Sequence, residues 1–134
     1  MRFFKMEAEQ KNYLEKLLEL TINNRASDLH LISGYQPTMR VNGELYPVAN
    51  ESVLDQKRVE ELIYFLLGKR KEDFLKEKEV DFSFIFSKGQ FRVNVYYQQG
   101  VPAASLRFLA GEIGSLEELG LPSVLKPVTT WRQG

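Results

Sequence analysis

Arg92 and Arg107 stand in the stretch FRVNVYYQQGVPAASLRF, residues 91–108. A guanidinium is a permanent, forked cation, and two of them held side by side suit an oxyanion such as a phosphate or a carboxylate. Asn94 and the serines Ser83 and Ser105 lie at spacings that bring more hydrogen-bond donors to the same neighbourhood. Other site chemistries are closed. The chain has no cysteine and one histidine, His30, which excludes thiolate sites and multi-histidine metal centres. No nucleophile–base pair stands out. The alternative for the arginines is bland: exposed cations that splay into water or pair with carboxylates from a distant segment.

The elements that position them are three strands in a meander, Val80 to Leu109. VDFSFIFS places Val80, Phe82, Phe84 and Phe86 on one face; QFRVNVYY places Phe91, Val93, Val95 and Tyr97 there; VPAASLRFL adds Pro102, Ala104, Leu106 and Phe108. Two-residue loops at Lys88-Gly89 and Gln99-Gly100 then set the register. Phe86, Phe84 and Phe82 fall opposite Phe91, Val93 and Val95, and these in turn opposite Phe108, Leu106 and Ala104. Apolar meets apolar throughout, which a one-residue slip would destroy. The same register sets Arg92 directly opposite Arg107 on the other face. Asn94 lies between Ser83 and Ser105, Ile85 flanks Arg92, and Asp81 sits beside Tyr96. Neither arginine has an acid at its nearest cross-strand position, so the pair reads as like charges held together.

The rest of the chain supplies helices and a second hairpin. Glu7 to Asn24 carries Leu14, Leu17, Leu18, Thr21 and Ile22 on one helical face. DLHLI alternates as a strand, with Leu29 and Leu31 opposed to Asp28 and His30. TMRV-NG-ELYPV predicts a hairpin around a type I′ turn at Asn42-Gly43. Asp55 to Leu67 is a helix with Asp55 as N-cap, Gly68 as stop and Val59, Leu62, Ile63, Leu66 and Leu67 in one stripe. KRKEDFLKEKE reads as a short solvated helix. After the meander, SLEELGLP carries a capping box, Ser115 with Glu118, then Gly120 as a stop and Pro122 opening another short helix. His30, on the polar face of its strand, is expected to hold a fixed hydrogen bond rather than to catalyse. Tyr35 and Trp131 are interface anchors or plain packing residues, and Arg40 reads as a surface charge.

A chain of 134 residues with 43% hydrophobic and 27% charged residues fits one soluble domain. Its formal net charge of zero argues against nucleic acid as a partner. No signal peptide or apolar run long enough to span a bilayer is present, which predicts a cytoplasmic protein.

Three stretches together resemble one family. ASDLHLISGYQPTMRVNGEL resembles the opening of the N-terminal domain of PilT-like ATPases, the retraction motors of type IV pili. DFSF, FRVNVYYQQG and ASLRFL resemble its central meander, and SLEELGLPSVLK the segment leading to the motor domain. The resemblance implies an α+β, PAS-like fold over residues 1–126: an antiparallel sheet with a three-stranded meander packed against helices. Residues 127–134 would begin a linker to a RecA-like motor domain, though Pro127 departs from the family's usual linker. No G-x-x-x-x-G-K-[ST] occurs in the chain, so hydrolysis of ATP by this chain alone is not expected. The resemblance also implies a homo-hexamer of the longer protein, packing of this domain on a neighbouring motor domain, ATP and Mg²⁺ in the longer protein, and attachment to pilus machinery at the inner membrane. Relatives use arginines at the positions of Arg92 and Arg107 to reach nucleotide phosphates. The equivalent domain of a pilus-extension or type II secretion ATPase is one rival; a free-standing PAS-like sensor, with Phe82, Phe84, Phe86 and Phe91 around a ligand, is another.

Overall fold

A computed structural model describes residues 2–86 and 88–111, with side chains from Glu7 to Leu109. The capping box at Ser115 and Glu118, Pro127 and Trp131 lie outside the described residues. Among the described residues, ten elements follow one another: α1 (Arg2–Asn23), β1 (Asp28–Leu31), β2 (Thr38–Val41), β3 (Glu44–Pro47), α2 (Gln56–Leu67), a 3-10 turn (Gly68–Arg70), α3 (Lys71–Glu77), β4 (Glu79–Phe86), β5 (Gly89–Gln98) and β6 (Val101–Gly111). The fold is α+β. The strands form one antiparallel sheet in the order β3-β2-β1-β6-β5-β4. The first and last described strands, β1 and β6, therefore meet in the middle. A hairpin extends the sheet on one side and the rest of the meander on the other.

Local chemistry accounts for each boundary. The Asp55 carboxylate accepts the Arg58 amide at 2.8 Å and caps α2; Gly68, at φ 53°, ends it. Asn42 and Gly43 both have positive φ, as a type I′ turn needs, and Gln99 and Gly100 repeat this between β5 and β6. The leucines of α1 and the apolar stripe of α2 cover one face of the sheet, meeting Leu29, Leu31, Phe91, Val93, Val95, Ala104 and Leu106, all fully buried. In the charge-dense α3, Phe74 is fully buried and stacks on Tyr97 with centroids 4.7 Å apart. The solvated-helix expectation thus holds for every residue of α3 but this one and is corrected there.

The first meander hairpin also differs from expectation. Phe86 pairs with Gly89 rather than Phe91, Phe84 with Phe91, Phe82 with Val93 and Val80 with Val95. Gly89 is a strand residue, and the ladder has slipped by two relative to a Lys88-Gly89 loop. Side-chain direction has a period of two, so this slip leaves every face assignment intact and still sets apolar against apolar. Between β5 and β6 the expected register holds from Phe91 to Gln98, and Arg92 lies opposite Arg107. A bulge at Gln90/Phe91 then lets β6 gain a residue.

Candidate functional site

The sheet face away from the helices carries the alternate residues of every strand. Pairing fixes one row across it: Leu45, Arg40, Asp28, Arg107, Arg92 and Ser83. A second row runs Pro47, Thr38, His30, Ser105, Asn94 and Asp81. The two arginines singled out from sequence are side by side in the first row, as the register required. Both are exposed, Arg92 at 64% and Arg107 at 70% of the side chain.

They are not unpaired. The two-residue slip moves Asp81 from beside Tyr96 to a place opposite Asn94, diagonal to Arg92 and within reach of a long side chain. Arg92 donates Nε to Asp81 Oδ1 at 3.0 Å and Nη2 to Oδ2 at 3.2 Å. Those bonds, and then the charge beside them, raise the Arg92 guanidinium above its ordinary pKa. Ser83 faces Arg92 directly, where Ile85 was expected, and Ile85 pairs with Gln90. Asn94 lies between Asp81 and Ser105, not Ser83 and Ser105, and donates to Glu79 at 3.0 Å.

Arg107 donates Nε to Asp28 Oδ1 at 3.1 Å. Asp28 comes from β1, 79 positions away, and its side chain is only 5% exposed. Ser27 gives its hydroxyl to Asp28 Oδ2 at 2.6 Å. Ser27 is itself tied on both sides: its amide donates to Arg40 O at 2.8 Å and its carbonyl accepts the Phe108 amide at 3.0 Å. Burial pushes the Asp28 carboxyl pKa up. The bonds from Ser27 and Arg107, with the charges of Arg107 and His30, outweigh it and leave the group below its usual value. The distant-carboxylate alternative for Arg107 is therefore correct as far as pairing goes.

Arg40 had no place in the site as read from sequence. It lies in the same row, one strand beyond Asp28, and donates Nη1 to Gly43 O at 2.9 Å. Beside it opens a groove of about 460 Å³ with Arg40, His30, Tyr35, Thr38, Leu45 and Tyr96 in its lining. Tyr35, 62% exposed, stands at this groove rather than packing inside. His30 faces the groove with Nε2 buried and without a partner among the described residues, so that nitrogen does not hold the hydrogen bond expected of it. Alternation in DLHL was the signal for Asp28 and His30 sharing a face; nothing local announced that β1 pairs with β6.

Chemically the outer face offers cations whose donors are only partly used. Asp81 occupies the Nε–Nη2 edge of Arg92, and Asp28 occupies Nε of Arg107. The Nη1 and Nη2 groups at the tip of Arg107, and Nη1 of Arg92, have no partner among the described residues. They suit oxyanion oxygens.

No family model matches the chain. The Type IV pilus ATPase PilU of Pseudomonas aeruginosa is 33% identical over 122 residues, 90% of this chain and 32% of the relative. The pilus retraction ATPase PilT of the same organism is 35% identical over 123 residues, again 90% of this chain and 36% of the relative. The chain thus spans about a third of the length of the curated relatives it matches. A crystal structure of the pilus retraction motor PilT with bound ADP superposes with a TM-score of 0.67 over 81% of this chain and 32% of that one, at 33% identity. The Legionella pneumophila ATPase DotB shares the fold, with a TM-score of 0.63 at 23% identity.

Proposed function

We propose, for a chain whose sequence and fold match the N-terminal domain of PilT-like secretion ATPases, that its outer sheet face receives nucleotide phosphates held by a motor domain of the longer protein. One observation carries the reading: Arg92 and Arg107 stand directly opposite each other on an open, polar face, each bonded to its aspartate through one part of the fork only. The remaining donors point to a charge that arrives from outside the domain. A cation placed there stabilises negative charge that builds up on the transferring phosphoryl oxygens.

In this reading the motor domain binds ATP with Mg²⁺ and the present domain supplies arginines without reacting. It packs on the motor domain of its own and a neighbouring subunit of a homo-hexamer. The longer protein works in the cytoplasm against pilus machinery at the inner membrane. The FRVN strand favours retraction over extension. The sensor alternative needs the phenylalanines to line a ligand cavity, but Phe91 is fully buried and Phe82, Phe84 and Phe86 pack against the core cluster.

The test is ATP turnover by the full-length hexamer. Arg92→Ala and Arg107→Ala should each lower it by about tenfold or more, because the lost donors act on charge that develops in the transition state. Arg→Lys should restore little, since an ammonium cannot reproduce the fork. Normal turnover per folded hexamer in both alanine variants would sink the reading.

A further inference from the structure

The two arginines hold their aspartates in different ways, and the difference assigns the aspartates different jobs. Asp28 is 5% exposed, begins a central strand and is bonded on both oxygens, to Ser27 and to Arg107. Its position is set by backbone, since Ser27 is tied to β2 and β6 through its own amide and carbonyl. It takes only Nε of Arg107, the atom nearest the chain. An acid bound there fixes the direction of the guanidinium plane and leaves both terminal nitrogens to a second anion. Asp81 is 46% exposed, lies on the edge strand and takes two nitrogens of an Arg92 that is itself mostly exposed. An exposed pair is weak and readily exchanged for another anion.

We propose that Asp28 is the positioning residue of the anion site, aiming Arg107 at the incoming phosphate, whereas Asp81 is a placeholder that the phosphate displaces from Arg92. This rests on the reading of the outer face as a phosphate site. It adds an order of events. Arg107 is pre-aimed and engages without rearrangement. Arg92 first gives up a carboxylate.

The experiment is a titration of this chain with inorganic pyrophosphate, followed by the ¹⁵N–¹H signals of the arginine Nε groups. The variants are Asp28→Asn, Asp81→Asn and Ser27→Ala. The two Asp→Asn changes raise the net charge equally, so Coulomb attraction alone makes both bind pyrophosphate more tightly. Positioning predicts opposite signs. Asp81→Asn should keep the affinity or raise it by about threefold, as a competing anion is lost. Asp28→Asn should lower it by about fivefold, because a pre-aimed donor is released. Ser27→Ala changes no charge and should lower the affinity by about twofold, through a looser Asp28. It decides the matter even if Asp28→Asn fails to fold. Pyrophosphate that moves neither arginine signal in the unsubstituted chain overturns this inference, whereas the phosphate reading itself falls only with normal turnover by the arginine variants of the hexamer. Pyrophosphate that binds the unsubstituted chain, but binds folded Asp28→Asn or Ser27→Ala as well or better, overturns the inference alone.

Discussion

The centre and the edge of this sheet are built from the same kinds of residue and hold them differently. In the centre, Phe91 on β5 is fully buried, and on the other face Asp28 is locked by Ser27 and Arg107. At the edge, Phe84 on β4 pairs with Phe91 yet is only partly buried, and Asp81 meets Arg92 in the open. A strand with neighbours on both sides has its helix-facing side chains flanked from either side. An edge strand has one neighbour, so solvent reaches its residues from the free side. The lesson is that chemistry at a given residue type depends on strand position: the same Arg–Asp pair is a fixture in the middle and a loose contact at the rim.

Truncating the two phenylalanines tests that contrast at its largest. Phe91 touches Phe86 and Phe108 at ring distances of 6.1 and 5.5 Å and has no exposed surface. Phe91→Ala should destabilise the domain by about 3–5 kcal/mol, the cost of a large cavity in a closed core. Phe84→Ala should cost about 1–3 kcal/mol, because water replaces part of what is removed and the edge can relax. Urea denaturation of both variants reads the difference directly. Equal losses would mean that the edge is as tightly packed as the centre.

The arginines carry the contrast to the outer face. Arg107→Ala leaves the buried Asp28 carboxylate with Ser27 as its remaining side-chain donor, which should cost about 1–3 kcal/mol. Arg92→Ala should leave the melting temperature within error of the unsubstituted chain, since its partner returns to water. Thermal melting of the two variants at moderate salt separates them. A larger loss for Arg92→Ala would break the comparison.

How much of this was legible in the sequence follows the same line. The facing of Arg92 and Arg107, the Asn42-Gly43 turn and the Asp55 cap were legible because each depends on residues close in the chain. Asp28 was not assigned to Arg107 because β1 and β6 are joined by a pairing across 79 positions, which no local pattern encodes. Asp81 was misplaced by the two-residue slip, to which alternation is blind by construction. Phe74 was hidden because two adjacent apolar residues, Phe74 and Leu75, in a seven-residue charged helix make no period. The candidate site was thus half readable: Arg92 and Arg107 from the meander, Arg40 and the carboxylates only from the folded sheet.

The smallest expected effect concerns His30, the other titratable group on the central strand. Burial lowers its pKa below 6.5; the charge of Asp28 pulls it back up and that of Arg40 pushes it down, with burial the largest of the three. Its Nε2 is enclosed without a partner among the described residues, so a proton there adds a donor that none of them accepts. The folded state therefore resists protonation more than the unfolded chain does. As pH falls below 6.5 the unfolded chain takes the proton first, and stability falls until pH passes the lowered folded value. Asp28 does not confuse this window. Its pKa is depressed below 3.8, so its contribution stays constant above about pH 5 and is lost progressively in stronger acid. His30→Gln should consequently flatten the fall in melting temperature between pH 7 and about pH 5, while leaving the acid limb below pH 4 in place. Parallel curves for the two proteins across that range would show that His30 finds a partner for its second nitrogen in solution.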